Sequence, residues 1–115
     1  MYTVEQIRQY LTETFGKEAA ESVAERLYNG EICLVQSERG FADGTPDTLL
    51  VDIIAQCRKC GDIHVIKNVP YANYMQWLNG GALIQNALHF LSPDERELLK
   101  TRTCGECWGK IFGEA

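Results

Sequence analysis

Hydrophobic positions along the chain change their period twice, dividing it into helical, strand-like and again helical text. In residues 3–15, Val4, Ile7, Leu11 and Phe15 recur at three- and four-residue spacing, the pattern of an amphipathic helix. Thr3 and Gln6 supply a capping box at its start, and Gly16 supplies a stop. Ala20, Val23, Ala24, Leu27 and Tyr28 mark one face of a second helix from Lys17 to Tyr28, closed by Asn29-Gly30. The short break between the two predicts an αα-hairpin.

Strand-like runs follow. Ile32 to Val35 is one, Leu49 to Ala55 (LLVDIIA) a second, and Ile63 to Ile66 a third, closed by Asn68-Val69-Pro70. Gln36 to Thr48 contains Gly40, Asp43-Gly44 and Pro46, and reads as a loop or wide hairpin connection. The second and third strands flank CRKCG, so they form a hairpin whose tip carries two thiols.

Helical spacing returns at Tyr71, Tyr74, Met75 and Leu78. It breaks at Asn79-Gly80-Gly81 and resumes with Leu83, Ile84, Ala87, Leu88 and Leu91. Ser92-Pro93-Asp94-Glu95 is a helix start, with Ser as N-cap, Pro at the first position and two acids in the first turn. That helix should run to about Lys100. A short terminal helix is expected from Cys104 to Phe112. No linker, repeat or low-complexity tract interrupts this order, which predicts a single α+β domain over residues 1–115.

Composition agrees with a folded domain. The 115 residues are 45% hydrophobic and 23% charged, which excludes a disordered or collagen-like chain. No apolar run approaches the roughly 20 residues of a membrane span. The N-terminal MYTVEQIRQYLTETF lacks the basic and apolar regions of a secretory signal, so a cytoplasmic setting is expected. Net charge is −5, which disfavours a general nucleic-acid or anionic-membrane binder. The charge is uneven: residues 1–56 hold ten acids and four bases, whereas residues 57–115 hold six acids and seven bases.

The cysteines carry the chemistry. Four of the five form two C-x-x-C pairs, Cys57/Cys60 and Cys104/Cys107, and Cys33 stands alone within a strand-like run. Zinc is bound tetrahedrally by thiolates, and each C-x-x-C turn places two sulfurs on one ion. Cys60-Gly61 suits a tight knuckle, and the second pair opens a helix whose positive end favours thiolate. A knuckle on a hairpin followed by two ligands at a helix start is the logic of a treble-clef or zinc-ribbon-like site. The expectation is one structural Zn²⁺ per chain on Cys57, Cys60, Cys104 and Cys107, with Cys33 as a buried small hydrophobe. Arg58, Lys59, Lys67, Arg102 and Lys110 are nearby in sequence and are candidates to offset the negative charge of four thiolates.

Disulfides and a redox-active C-x-x-C are the rival uses of these thiols, but no secretory signal and no thioredoxin-like βαβ unit accompanies them. Four cysteines close a zinc shell, leaving no open position for catalysis. There is no H-E-x-x-H, and His64 is followed by Val65-Ile66 rather than the H-x-E of zinc deaminases. His64 is a possible substitute ligand near the knuckle, although a place on the surface or behind the ligands, supporting them, is expected. His89, within apolar helical text, reads as a satisfied, partly buried histidine. Phosphate-binding glycine loops and a nucleophile elbow are absent from the sequence. No catalytic residues are expected.

The C-terminal text carries a resemblance. CxxCG is followed by Tyr74…Trp77…Gly80, then Leu83-Ile84-Gln85…Ala87…Phe90-Leu91-Ser92…Asp94-Glu95-Arg96-Glu97-Leu98-Leu99, and finally Cys104…Cys107-Trp108…Phe112. Residues 57–113 thus resemble a group of small uncharacterised zinc-finger-like proteins of bacteriophage and prophage genomes. The resemblance implies the same four cysteine ligands and a phage or bacterial cytoplasmic setting. It brings no established activity.

The leading expectation is a non-enzymatic protein acting by protein–protein interaction on a bacterial or phage partner, for example as an inhibitor of a host defence system such as CRISPR. The alternative is a sequence-tolerant nucleic-acid binder stacking bases on Tyr71, Tyr74, Trp77 and Trp108, with Arg58, Lys59, Lys67 and Lys110 on phosphates. Tyr71 and Tyr74 share an apolar helical face, which favours core packing. A thiol oxidoreductase is the third reading.

Overall fold

Thr3 accepts the Gln6 N–H at 3.2 Å while the Gln6 side chain accepts the Thr3 N–H at 2.9 Å, closing the expected capping box. This starts α1, Val4–Phe15, in a computed structural model that describes residues 3–110. Gly16 ends α1 and opens α2, Lys17–Tyr28, so the two helices form the expected hairpin. Ile7, Leu11, Ala20 and Leu27 are buried between the hairpin and the sheet. Phe15 and Tyr28, expected on the buried faces, lie at the helix ends and are exposed; Tyr28 is 84% accessible. The Val4 side chain lies outside the described residues.

β1 (Cys33–Phe41), β2 (Leu49–Gln56) and β3 (Ile63–Pro70) form an antiparallel meander in the order β1-β2-β3. β1 is longer than its sequence suggested. It continues through Gln36 to Phe41, with a register shift between those residues, into the segment read as a loop. Its polar second half is anchored to β2 at its two ends, by Gln36 opposite Val51 and Phe41 opposite Leu49, which local hydrophobicity does not report. Only 42–48 connects the strands, including a short 3₁₀ turn at Pro46–Thr48. β3 likewise continues past Ile66, through a bulge.

β2 is the central strand, and both its faces are covered. Val51 and Ile53 face a core with Ile66, Val69, Tyr74, Ile84, Leu88 and Leu99, whereas Ile54 faces the α1–α2 hairpin. Helical layers on both sides explain why LLVDIIA is a continuous apolar run rather than an alternating one.

The second helical layer comprises α3 (Tyr71–Leu78), α4 (Ile84–Ala87) and α5 (Pro93–Thr101), followed by α6 (Gly105–Trp108). Tyr74 is buried and meets Trp77 edge-on at 5.8 Å, but Tyr71 and Leu78 are largely exposed. α4 is a single turn, shorter than the apolar spacing to Leu91 implied, and Leu83 before it is exposed. His89 is exposed beside Phe90, not partly buried within a helix. The expected extension of the last helix to Phe112 lies outside the described residues.

α5 has a full capping box: Ser92 accepts the Glu95 N–H at 3.1 Å, and Glu95 accepts the Ser92 N–H at 2.8 Å. Ser92→Ala removes one half of it and is expected to cost about 1 kcal/mol in urea unfolding, without loss of bound metal. No described helix is long and apolar enough to cross a membrane.

Candidate metal centre

Two elements distant in sequence bring the four cysteines together. Cys57 and Cys60 occupy the turn between β2 and β3, and Cys104 and Cys107 occupy the N-cap and first turn of α6. At the knuckle, Cys57 N–H donates to Asp62 O at 2.9 Å and Gly61 N–H donates to Cys57 O at 2.9 Å. Gly61 has φ +81°, a conformation that a side chain disfavours, so the residue after the second cysteine is fixed by backbone geometry. Arg58 N–H then donates to Arg102 O at 2.8 Å, joining the knuckle to the end of α5.

Gly105 has a different constraint. A Cβ there would run into the Asp94 side chain, including its Cβ at 2.9 Å. The absence of a side chain lets the first turn of α6 lie against the start of α5 and sets the direction in which Cys104 and Cys107 point.

The four sulfurs lie within 4.8 Å of one another, and Cys60 Sγ is 3.8 Å from Cys104 Sγ. A tetrahedron with metal–sulfur bonds of about 2.3 Å has edges of about 3.8 Å, so the cluster has the dimensions of a four-thiolate metal shell. Cys57, Cys104 and Cys107 are buried and Cys60 is exposed. Ala55 and Leu98 complete a small apolar cluster around them. The knuckle on the β2–β3 hairpin and the start of α6 together bring the four sulfurs into one cluster, as the spacing predicted.

Backbone N–H groups prepare the site for thiolate. Lys59 N–H and Cys104 N–H each donate to Cys57 Sγ at 3.4 Å. Burial pushes the Cys57 thiol up, but N–H groups of Cys60, Cys104 and Lys59 outweigh it and bring the thiol down to about 6. Cys60 moves the other way: desolvation, with the neighbouring thiols of Cys57, Cys107 and Cys104, pushes it up. Desolvation also raises Cys107.

These directions set a pH dependence. Between about 6 and 9, Cys57 is ionised in the folded metal-free protein and protonated when unfolded, so the unfolded state binds more protons and stability rises with pH. This contribution is lost as pH falls through about 6. Raised thiols act only above 9, where they oppose it. Metal binding at pH 7.5 is therefore expected to release fewer protons than ionisation of four thiols requires. Titration calorimetry in buffers of different ionisation enthalpy measures that number.

Of the five basic side chains that are candidates to offset the thiolate charge, three have other partners. Lys67 pairs with Asp52 at 3.8 Å, and Lys110 pairs with Glu106 at 3.7 Å. Arg102 donates to the carbonyls of Gly30 and Leu99. The backbone donors on Cys57 are what the Cys60-Gly61 turn predicts, a tight knuckle whose N–H groups point at sulfur. His64 lies in β3, outside the sulfur cluster. Its Nε2 is buried without a hydrogen-bond partner, and desolvation lowers its pKa. Cys33 is also outside the cluster, packed with Ile7, Leu11 and Ile54, and burial raises its thiol.

No known protein family matches the chain, and no curated protein or solved structure matches it.

Proposed function

We propose that the four cysteines hold one Zn²⁺ with a structural role and that the protein acts without catalysis, by binding another protein. The carrying observation is the complete set of four sulfurs at tetrahedral spacing. Four thiolates fill a zinc shell, leaving no position at which water or substrate would be activated. Zinc would supply cross-linking between the knuckle and α6, and the protein's own N–H groups hold Cys57 as the thiolate it needs.

Two surfaces support a protein partner. Leu78 is 56% exposed and Leu83 is 62% exposed, on either side of the Asn79-Gly80-Gly81 turn beside Trp77. We read them as apolar side chains that a protein partner would cover. On the opposite layer, the α1–α2 hairpin presents Glu5, Glu13, Glu18, Glu21 and Glu25 to solvent. We place the partner among bacterial or phage proteins because of the resemblance of residues 57–113. Inhibition of a host defence system such as CRISPR is the narrower role consistent with that setting and with an acidic N-terminal half.

The nucleic-acid reading has less support. Tyr74 is buried in the core and Trp77 packs against it, so two of the four rings proposed for stacking serve packing instead. Capture from bacterial lysate by zinc-loaded protein tests the proposal. The expected result is one protein retained by the wild type and lost with Leu78→Ser/Leu83→Ser. Retention of DNA or RNA that falls steeply with salt would replace the proposal with the nucleic-acid reading.

A further inference from the structure

A cavity of about 270 Å³ lies between α1 and the sheet, on the side away from α3 to α5. Ile7, Val35, Ile54 and Val65 form apolar walls, and the Tyr10 ring closes one side. Gln6, whose side chain accepts the Thr3 N–H, and Lys67 also line it, and its buried polar group is the carboxylate of Asp52, which is only 2% exposed although it lies on the central strand.

The sheet is deformed at this carboxylate. Val51 pairs with Val69 and Ile53 with Ile66, so Lys67 and Asn68 together oppose Asp52. Asn68 takes φ +58° at this bulge, and its N–H donates to Asp52 Oδ1 at 3.0 Å. The Asn68 side chain is held in turn by Ser37 Oγ. One carboxylate oxygen is thus used by the fold. The other, Oδ2, is met by Lys67 Nζ at 3.8 Å, beyond hydrogen-bonding distance. That same ammonium lies 5.9 Å from the centre of the Tyr10 ring, and the Lys67 side chain is 53% exposed.

A buried carboxylate, an aromatic face and apolar walls are the elements that recognise an organic cation. We propose that this cavity binds a short alkyl chain ending in an ammonium or guanidinium group, which displaces the Lys67 ammonium. Lys67 is the tethered occupant of the cation position. Its long ion pair and exposed stem make it easy to displace, because such a half-exposed pair contributes little. Asp52 is difficult to leave unpaired, since a buried charge without a partner is costly. A ligand that brings its own cation together with an alkyl stem fills the apolar space that Lys67 leaves open. The site is separate from the cysteine cluster and does not depend on the proposed partner.

Amide chemical shifts of the full-length, metal-loaded protein during titration with n-butylammonium chloride test this. Equal sodium chloride and n-butanol serve as controls. The expected result is saturable shifts at Tyr10, Val35, Val65 and Lys67 that neither control produces. Lys67→Met removes the internal competitor, so affinity should rise about tenfold and the ligand should raise the melting temperature more than in wild type. Folded Asp52→Asn should lose the response. If Asp52→Asn does not fold, the Lys67→Met comparison decides. No saturable shift in wild type, no tighter binding by Lys67→Met, equal binding of n-butanol, or an undiminished response in folded Asp52→Asn would each overturn the proposal.

Discussion

Stripping the metal with a strong chelator at neutral pH is expected to lower the thermal midpoint by about 20 °C or more. The reason lies in what else holds that end of the molecule. Three members of the buried cluster of Ala55, Cys57, Leu98, Cys104 and Cys107 are cysteines that would ligate the proposed metal. Without a metal, Ala55 and Leu98 are the apolar residues left in that cluster, and neighbouring sulfurs face one another. Structural zinc sites are worth about 10–16 kcal/mol at neutral pH, comparable with the whole stability of an ordinary domain. A shift of 1 kcal/mol moves the midpoint of a domain near this size by about 4–8 °C, so even a fraction of that energy produces the expected fall.

Cys57→Ser should reproduce most of the chelator's effect. Cys57 is the sulfur that accepts both the Lys59 and Cys104 N–H groups, and it is 1% exposed. Cys33→Ala, by contrast, should keep its metal, because Cys33 belongs to the α1–α2 core. Differential scanning calorimetry of wild type with and without chelator, and of the two variants, separates these outcomes. A midpoint unchanged by metal removal would show that the cysteine cluster is not a stabilising centre.

The second large effect is expected in the middle of the sheet. Ile53→Ala should lower the unfolding free energy of the metal-loaded protein by about 3–4 kcal/mol, from the lost burial and the cavity left behind. Ile53 is 0% exposed and sits between Leu34 on β1 and Ile66 on β3, under the helical layer that includes Tyr74 and Leu88. Its surroundings come from both neighbouring strands and two helical segments, which limits their collapse into the vacated space. Metal content should not change, since Ile53 belongs to a different cluster from the sulfurs. Urea unfolding with parallel metal analysis measures both quantities. A loss below about 1 kcal/mol would mean that the central strand is not the support for that helical layer.

Features encoded by neighbouring residues were legible before the structure. Thr3 with Gln6 and Ser92 with Glu95 mark helix starts because a capping box is a contact over three residues. The clustering of the four cysteines was legible because each C-x-x-C turn is local and one further C-x-x-C pair was available. Features that depend on partners far along the chain were not. The polar run after Gln36 belongs to a strand because Gln36 and Phe41, on either side of the irregular stretch, pair with Val51 and Leu49 of β2. The bulge at Lys67-Asn68 exists only in relation to Asp52, so neither the bulge nor the burial of that acid within LLVDIIA could be read locally. Apolar spacing misassigned Phe15, Tyr28 and Leu83 to buried faces, because periodicity gives the direction of a side chain and not how far the opposing layer extends.

Native mass spectrometry of protein purified without added metal, paired with elemental analysis, tests whether Cys57, Cys60, Cys104 and Cys107 form a structural zinc site. One zinc per chain with all five thiols free of disulfide, and loss of zinc in Cys57→Ser and Cys104→Ser, is the predicted result. A folded wild-type chain that carries no metal, or one with its C-x-x-C pairs oxidised, would contradict it.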